Sequence, residues 1–295
     1  MRMRAFERGQ ATVMFAISAV ALCSICALSL DAGRAYVLVQ QLKNAANAAA
    51  LSGGQDLPAT PAQAVTDAGT VAQDNGVASA NTQISISNGN TVITVTTTGT
   101  VKYYFAPLFG VDSGTFSQTS AVEVGPMSQI QGAVPLGVVN QTFVYGQTYT
   151  LKAGAGGGDT GNYGALSFAG SDDGASQYEQ YLANGYPEML TVGETVQTEP
   201  GNMVGPTDQG LSQRIQGDPA ATYQTALPSS SRVLYVPVIT QPGNGRSTVQ
   251  ILGFAAFFVQ SVSNGDVTGE FLHMAVDGQF GSAQDYGLEA ERLIK

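Results

Sequence analysis

The sequence predicts an α+β protein in three parts: a long N-terminal transmembrane helix that continues outside the membrane, a small antiparallel α+β unit, and a larger mostly-β domain. Three observations carry this expectation. Ala11 to Leu30 is twenty residues without a charge, enough to span a hydrocarbon core of ~30 Å at ~1.5 Å per residue. Small and apolar residues then keep a helical period as far as Gly53-Gly54. Beyond Asn75-Gly76 the period changes to two, in β-branched runs separated by turn residues.

The helix comes first. Arg2, Arg4 and Arg8 against Glu7 mark residues 1–10 as a basic cytoplasmic segment, because positive charge is retained inside. Asp31 ends the apolar run; a carboxylate costs roughly 2.5–3.5 kcal/mol at mid-membrane, which places it at the outer interface. Nothing after it stops the helix. Ala35, Leu38, Leu42, Ala45, Ala49 and Ser52 recur at three- and four-residue spacings, and Gly33 costs only about 1 kcal/mol. One helix of about 44 residues, roughly 66 Å, therefore starts in the membrane (11–30) and projects from it (31–53). Ala19, Cys23, Ala27, Asp31 and Ala35 form a small-residue stripe of the kind that lets helices approach in lipid, although Ala-rich spans also produce such stripes by chance. A cleaved signal peptide is the competing reading, with Ala27-Leu28-Ser29 as its cleavage site. The length of the run and the helical pattern that continues through that site favour a retained anchor.

These residues carry a family resemblance. The order Arg8-Gly9, apolar span, Asp31-Ala32-Gly33-Arg34-Ala35-Tyr36, then 41–53 (QLKNAANAAALSG) resembles the N-terminal segment of TadG-like proteins of the tight-adherence (Tad, or Flp) pilus-assembly system. In that family an Asp-x-Gly-x-x-Tyr follows the span and leads into a Leu-Gln-Asn-Ala-Ala-Asp-Ala-Ala-Ala-Leu type run. Asp31, Gly33, Tyr36, Leu42, Asn44, Ala45, Ala46, Ala48, Ala49, Ala50 and Leu51 fit; Lys43 and Asn47 depart. The resemblance implies a non-catalytic structural or assembly component of a type IV-like pilus system, located in the cell membrane. It implies pilins or other pilus-assembly membrane proteins as partners of 11–53, beside the lipid bilayer. Self-association through the stripe is left open. Looser similarity to the extracytoplasmic region of TadE/TadG-like proteins extends over Gly161–Gly164, Pro200–Gly205, Arg232–Ile239 and Gly253–Phe258.

Composition bounds what the rest can do. Residues 1–10 carry a net charge of +2 and the chain −10, leaving −12 for residues 11–295. An acidic exterior argues against nucleic acid or anionic lipid as partners of that part, since both need basic patches. Both cysteines, Cys23 and Cys26, lie within the span, where they read as small apolar residues rather than a redox pair. No disulfide is expected outside the span, so the exported part (54–295) is expected to fold on its own core and sheet hydrogen bonds, without metal or reductant.

Along the chain, Thr60-Pro61-Ala62-Gln63 reads as a capping box opening a short helix (about 60–75) with Ala64, Ala68, Val71 and Ala72 on one face, folded back on the first. Ile84 and Ile86, the turn Ser87–Asn90, and Thr91–Thr96 read as a hairpin. A separate strand, Val101–Phe105, follows Gly99; Pro107 and Gly110 bracket a bend, and Thr115–Val124 supplies a fourth strand. Residues 54–125 thus form the small unit, with the general plan of a pilin by analogy. Gly125–Ala133 is the expected boundary. The mostly-β domain, 133–281, has strands at Val134–Val139, Thr142–Lys152, Tyr163–Phe168, Arg232–Thr240, Ser247–Val262 and Asp266–Val276, and helices at Ser176–Asn184 and Thr207–Ile215, the second with Thr207 as its cap. Ile251–Val262 is too short to span a membrane and reads as a buried strand. Residues 282–295 read as a polar, helical tail.

No catalytic, cofactor-binding or metal residue is assigned, and the chain is not expected to be an enzyme. His273, the single histidine, has Asp277 nearby but no nucleophile signature, and reads as a satisfied strand histidine. Gly156–Gly161 matches G-x-G-x-x-G formally, yet a strand rather than a helix follows, so it reads as a loop. Asp172-Asp173-Gly174 lacks calcium-loop spacing and reads as a solvated turn, and Asp159 is likewise assigned no ion.

Overall fold

A computed structural model describes residues 4–152, 163–168, 174–199, 203–243, 245–281 and 283–294. Its first element is one unbroken helix, α1 (Arg4–Gly54), of 51 residues. Among the described residues it is one helix long and apolar enough to cross a membrane. Over residues 10–30 its side chains are mostly exposed: Phe15, Ile17, Val20, Leu22 and Ile25 are all more than 60% exposed. A helix apolar on every side and packed against no protein is one whose solvent is lipid.

The C-terminal half of the same helix is core. Leu42, Ala45, Ala46, Ala49 and Ala50 are buried against α2 (Pro61–Asp74), β2 (Val92–Lys102) and β3 (Ser113–Gln131), while β1 (Thr82–Ser87) packs against α2 and β2. α2 contributes Ala64, Ala68 and Ala72 and folds back on α1 as expected. The expected capping box does not form. Thr60 Oγ1 donates to the Asp56 carbonyl at 3.1 Å, and Gln63 Nε2 donates forward to Asp67 at 2.8 Å. Thr60 thus bonds back to the turn before α2 and Gln63 forward along the helix, so neither caps the free amides.

β1 and β2 make the expected hairpin, Ser87 opposite Val92, with Asn88, Gly89 and Asn90 all at positive φ in the turn. Gly99 does not end the strand: β2 runs through it to Lys102, paired with β3 throughout. A side chain there would meet Leu38 at 3.1 Å and Leu42 at 3.2 Å, so this glycine serves the close seat of α1 on the sheet rather than a turn. β3 is also longer than expected. It passes through Gly125-Pro126 to Gln131, and its far end pairs with strands from the rest of the chain.

Those elements are β4 (Leu136–Val139), β5 (Thr148–Lys152), β6 (Tyr163–Ser167), α3 (Gly174–Asn184), β7 (Met189–Thr191), β8 (Thr195–Thr198), α4 (Val204–Gly217), β9 (Val233–Ile239), β10 (Thr248–Ser263), β11 (Asp266–Leu272), β12 (Met274–Asp277), β13 (Gln279–Phe280) and β14 (Leu288–Leu293). The pairings β9–β10–β8–β6–β4 return to β9, closing a ring of five strands, while β11 and β5 extend it from β10. Its core includes Leu136, Val138, Leu234, Val236, Phe257 and Phe271. β10 is the expected buried strand, with Phe254 to Val259 at 2% exposure or less. The expected strand from Thr142 shrinks to β5, and the one from Asp266 divides at His273. Thr207 is no cap: α4 begins a turn earlier, and the buried Thr207 hydroxyl lies 3.2 Å from that of Tyr178 on α3.

The C-terminal tail is the largest correction. It is not helical: Leu288–Leu293 is β14, inserted between β3 (antiparallel) and β12 (parallel) in the first sheet. The sequence LEAERL favours a helix by propensity, but two waiting strands and the burial of Leu288 and Ala290 override a preference of a few tenths of a kcal/mol per residue. One apolar cluster consequently joins Met127 and Ile130 of β3 and Leu288 of β14 to Val196, Ile251 and Phe254 of the ring.

Candidate functional site

The residues that carried the family resemblance divide into a clasp and a seat on α1. Asp31 makes the clasp. Its side chain is buried, and its oxygens accept the backbone N–H groups of Tyr104, Phe105 and Ala106, each at 2.8 Å. Those amides open the 3₁₀ turn Ala106–Phe109 in the connection between β2 and β3, and would otherwise lack partners. Burial alone would raise the Asp31 pKa; the three amides and the nearby Arg34 charge outweigh it and hold the carboxyl below the usual carboxylate range. Arg34, one turn on, donates from Nη1 to the Lys102 carbonyl at 2.8 Å and lays its guanidinium 3.9 Å over the Tyr104 ring. Asp31 thus ties the point where the apolar run ends to a loop more than 70 residues away.

The seat is Leu42, Ala45, Ala46, Ala49 and Ala50, with the Thr97 hydroxyl donating to the Leu42 carbonyl at 2.9 Å in the buried contact. Small side chains are needed because helix and sheet backbones approach too closely for larger ones. The two departures from the family pattern are harmless to this contact: Lys43 is exposed and Asn47 only half-buried. Gly33 and Tyr36 contribute nothing inside the chain; Gly33 has no atom within 4 Å of a would-be Cβ, and Tyr36 is 65% exposed. Cys23 and Cys26 are free thiols on the outer surface of the apolar half.

Residues 9–56 match the model of the family described as putative Flp pilus-assembly TadE/G-like. That segment is TadE/G-like, and it makes up less than a fifth of the chain. The match closes two residues beyond Gly54, where α1 ends, so the TadE/G-like segment is the anchor, the clasp aspartate and the seat together. It supports a component associated with a Tad pilus. No curated protein and no solved structure matches the chain.

Of the other residues weighed in the sequence, His273 is among the described ones. His273 sits between β11 and β12, partly exposed, with Nδ1 3.8 Å from Glu289 of β14 and its ring against Tyr145. Glu289 is thus a carboxylate beside it that the sequence did not suggest. Glu289 is buried, which raises its pKa, an effect that His273 partly offsets. No signal in the sequence could reveal this pair, since it depends on where β14 inserts. Gly156–Gly161, Asp159, Asp172 and Asp173 lie outside the described residues. Among the described residues no group of three or more His, Cys, Asp or Glu side chains converges to hold a metal.

Proposed function

We propose that this TadE/G-like protein is a membrane-resident, non-catalytic assembly component of a Tad pilus system, with its N-terminus in the cytoplasm and everything after Asp31 outside. The observation that carries the reading is the coincidence of the matched segment with one helix that is apolar and unpacked at one end and a protein core at the other. Such a helix delivers a folded domain at a fixed distance from the membrane. Pilins or other assembly proteins are its proposed partners, through the exposed face of 11–53. The basic residues Arg2, Arg4 and Arg8 support the orientation.

The second reading is a processed minor pilin. Type IV pilins resemble one another in a cut after a glycine and a glutamate at the fifth mature position. A cut after Gly9 would put Met14 fifth, so the span holds no internal carboxylate to pair with a neighbour's terminal amine. That absence favours retention in the membrane. A chain tagged at both ends, followed in spheroplasts and sheared filaments, tests both points. Added protease should remove the C-terminal tag and spare the N-terminal one, and the intact mass should begin at Met1 in the membrane fraction. A chain beginning at Gln10 in the filaments would establish the minor pilin instead, and a protected C-terminal tag would reverse the orientation.

A further inference from the structure

We propose that the connection between β2 and β3 is a second membrane contact, a foot that rests in the outer bilayer interface beside the span. This rests on reading Ala11–Leu30 as the span. Tyr103 to Val111 (YYFAPLFGV) is nine residues without a charge, bounded by Lys102 and Asp112. Folding does not hide it. Tyr104 is 68% exposed, Leu108 81%, Phe109 70% and Val111 48%. A patch of that kind marks a contact surface, and aromatic and aliphatic residues mixed this way suit the zone between headgroups and acyl chains.

What identifies the occupant is the patch's level on α1. β2 descends antiparallel to the helix: Ile93 lies at Gly53, Gly99 at Leu38 and Leu42, Lys102 at Arg34, and Tyr104 to Ala106 at Asp31. The lengths agree, since Gly53 to Asp31 is about 33 Å of helix and Ile93 to Tyr104 about 36 Å of strand. Asp31 is the first residue after the apolar run, so its three hydrogen bonds hold the loop where the span leaves the membrane. The foot is continuous with that lipid-facing surface. Arg34 and Lys102 lie just above it, at the height of lipid phosphates, and Arg34 packs on Tyr104. A helix alone in a bilayer is free to tilt and rotate about its axis. A clasped foot beside it would fix the rotation and hold the folded part in one orientation to the membrane.

The chain contains no tryptophan, so single tryptophans report without interference. Phe109→Trp and Leu108→Trp probe the foot, Val20→Trp the span, and Ser87→Trp the opposite end of the hairpin. Each full-length variant is reconstituted into phosphatidylcholine vesicles with or without lipids brominated near the headgroup end of the acyl chain. Tryptophan at 108 and 109 should emit at shorter wavelength than Ser87→Trp and lose about half its emission to the shallow bromines, as an interfacial residue does; Ser87→Trp should lose none. If Val20→Trp is quenched while both foot variants emit as in water, the foot is wrong and the span stands. Blue-shifted but unquenched emission at the foot would mean that a second copy covers it, which overturns the proposal. An unquenched Val20→Trp would remove the span and the foot together.

Discussion

A soluble fragment of residues 31–295 should fold, and one of residues 54–295 should not. The second lacks the helix on which its first sheet is built. Leu42, Ile93, Val95, Val122 and Val124 are all at 2% exposure or less in the contact among α1, α2 and the sheet. Leu42 is deleted with the helix; returning the other four to water costs about 1.5–3 kcal/mol each, on the order of 6–12 kcal/mol in sum. That approaches the entire stability of an ordinary domain, ~5–15 kcal/mol. α2 would lose its partner as well, since Ala64, Ala68 and Ala72 bury too little area to hold the helix on the sheet alone. Thermal melts followed by circular dichroism check this: 31–295 should unfold cooperatively, and 54–295 should aggregate or show no transition for the first sheet. Equal melting temperatures would show that the helix merely tethers the domain.

The second large effect separates two glycines of the TadE/G-like segment. A Cβ on Gly53 would run into Ile93 Cδ1 and stand 2.8 Å from the Ala64 carbonyl oxygen and 3.1 Å from Ala68 Cβ. The Ile93 tip can turn away, but the Ala64 oxygen is backbone and can retreat only by moving α2. Gly53→Val is therefore expected to cost about 3 kcal/mol. In a chain of this size that is roughly 10 °C of melting temperature, at ~2–4 °C per kcal/mol. Gly33 faces open space, so Gly33→Ala should leave the melt unchanged or raise it slightly through helix propensity, by up to about 1 kcal/mol. Both variants are measured as full-length protein in the same detergent. A drop at Gly33 equal to that at Gly53 would contradict the placement of the seat.

These contrasts also mark what could be read from the sequence. α1 was legible from Ala11 to its end, because hydropathy set its membrane half, period set its core half and the glycine pair its stop; its start at Arg4, inside the segment read as a separate basic lead, was not. The β1–β2 turn announced itself through Asn88-Gly89-Asn90. What escaped was every feature that depends on a distant partner. β3 looked finished at Gly125-Pro126, since two residues that commonly end strands stood together, yet β14 and β13 pair with it there from more than 150 residues away. β14 has helix-forming residues and became a strand because two strands offered it hydrogen bonds. The clasp belongs to the same class: Asp31 was placed at the membrane interface, but its three amide donors lie 73 to 75 residues on. Gly99 was misread as a stop because close approach and turn formation both favour glycine, and local sequence does not distinguish them.

The proposal that this protein, through its TadE/G-like segment, serves pilus assembly is tested most directly by counting surface pili. Cells lacking the gene, and the same cells with the full-length chain restored, are compared by electron microscopy. The account predicts that filaments disappear with the gene and return with the chain. Filaments unchanged in number without it would contradict the account and leave a membrane-anchored binding or adhesin domain that shares only the anchor.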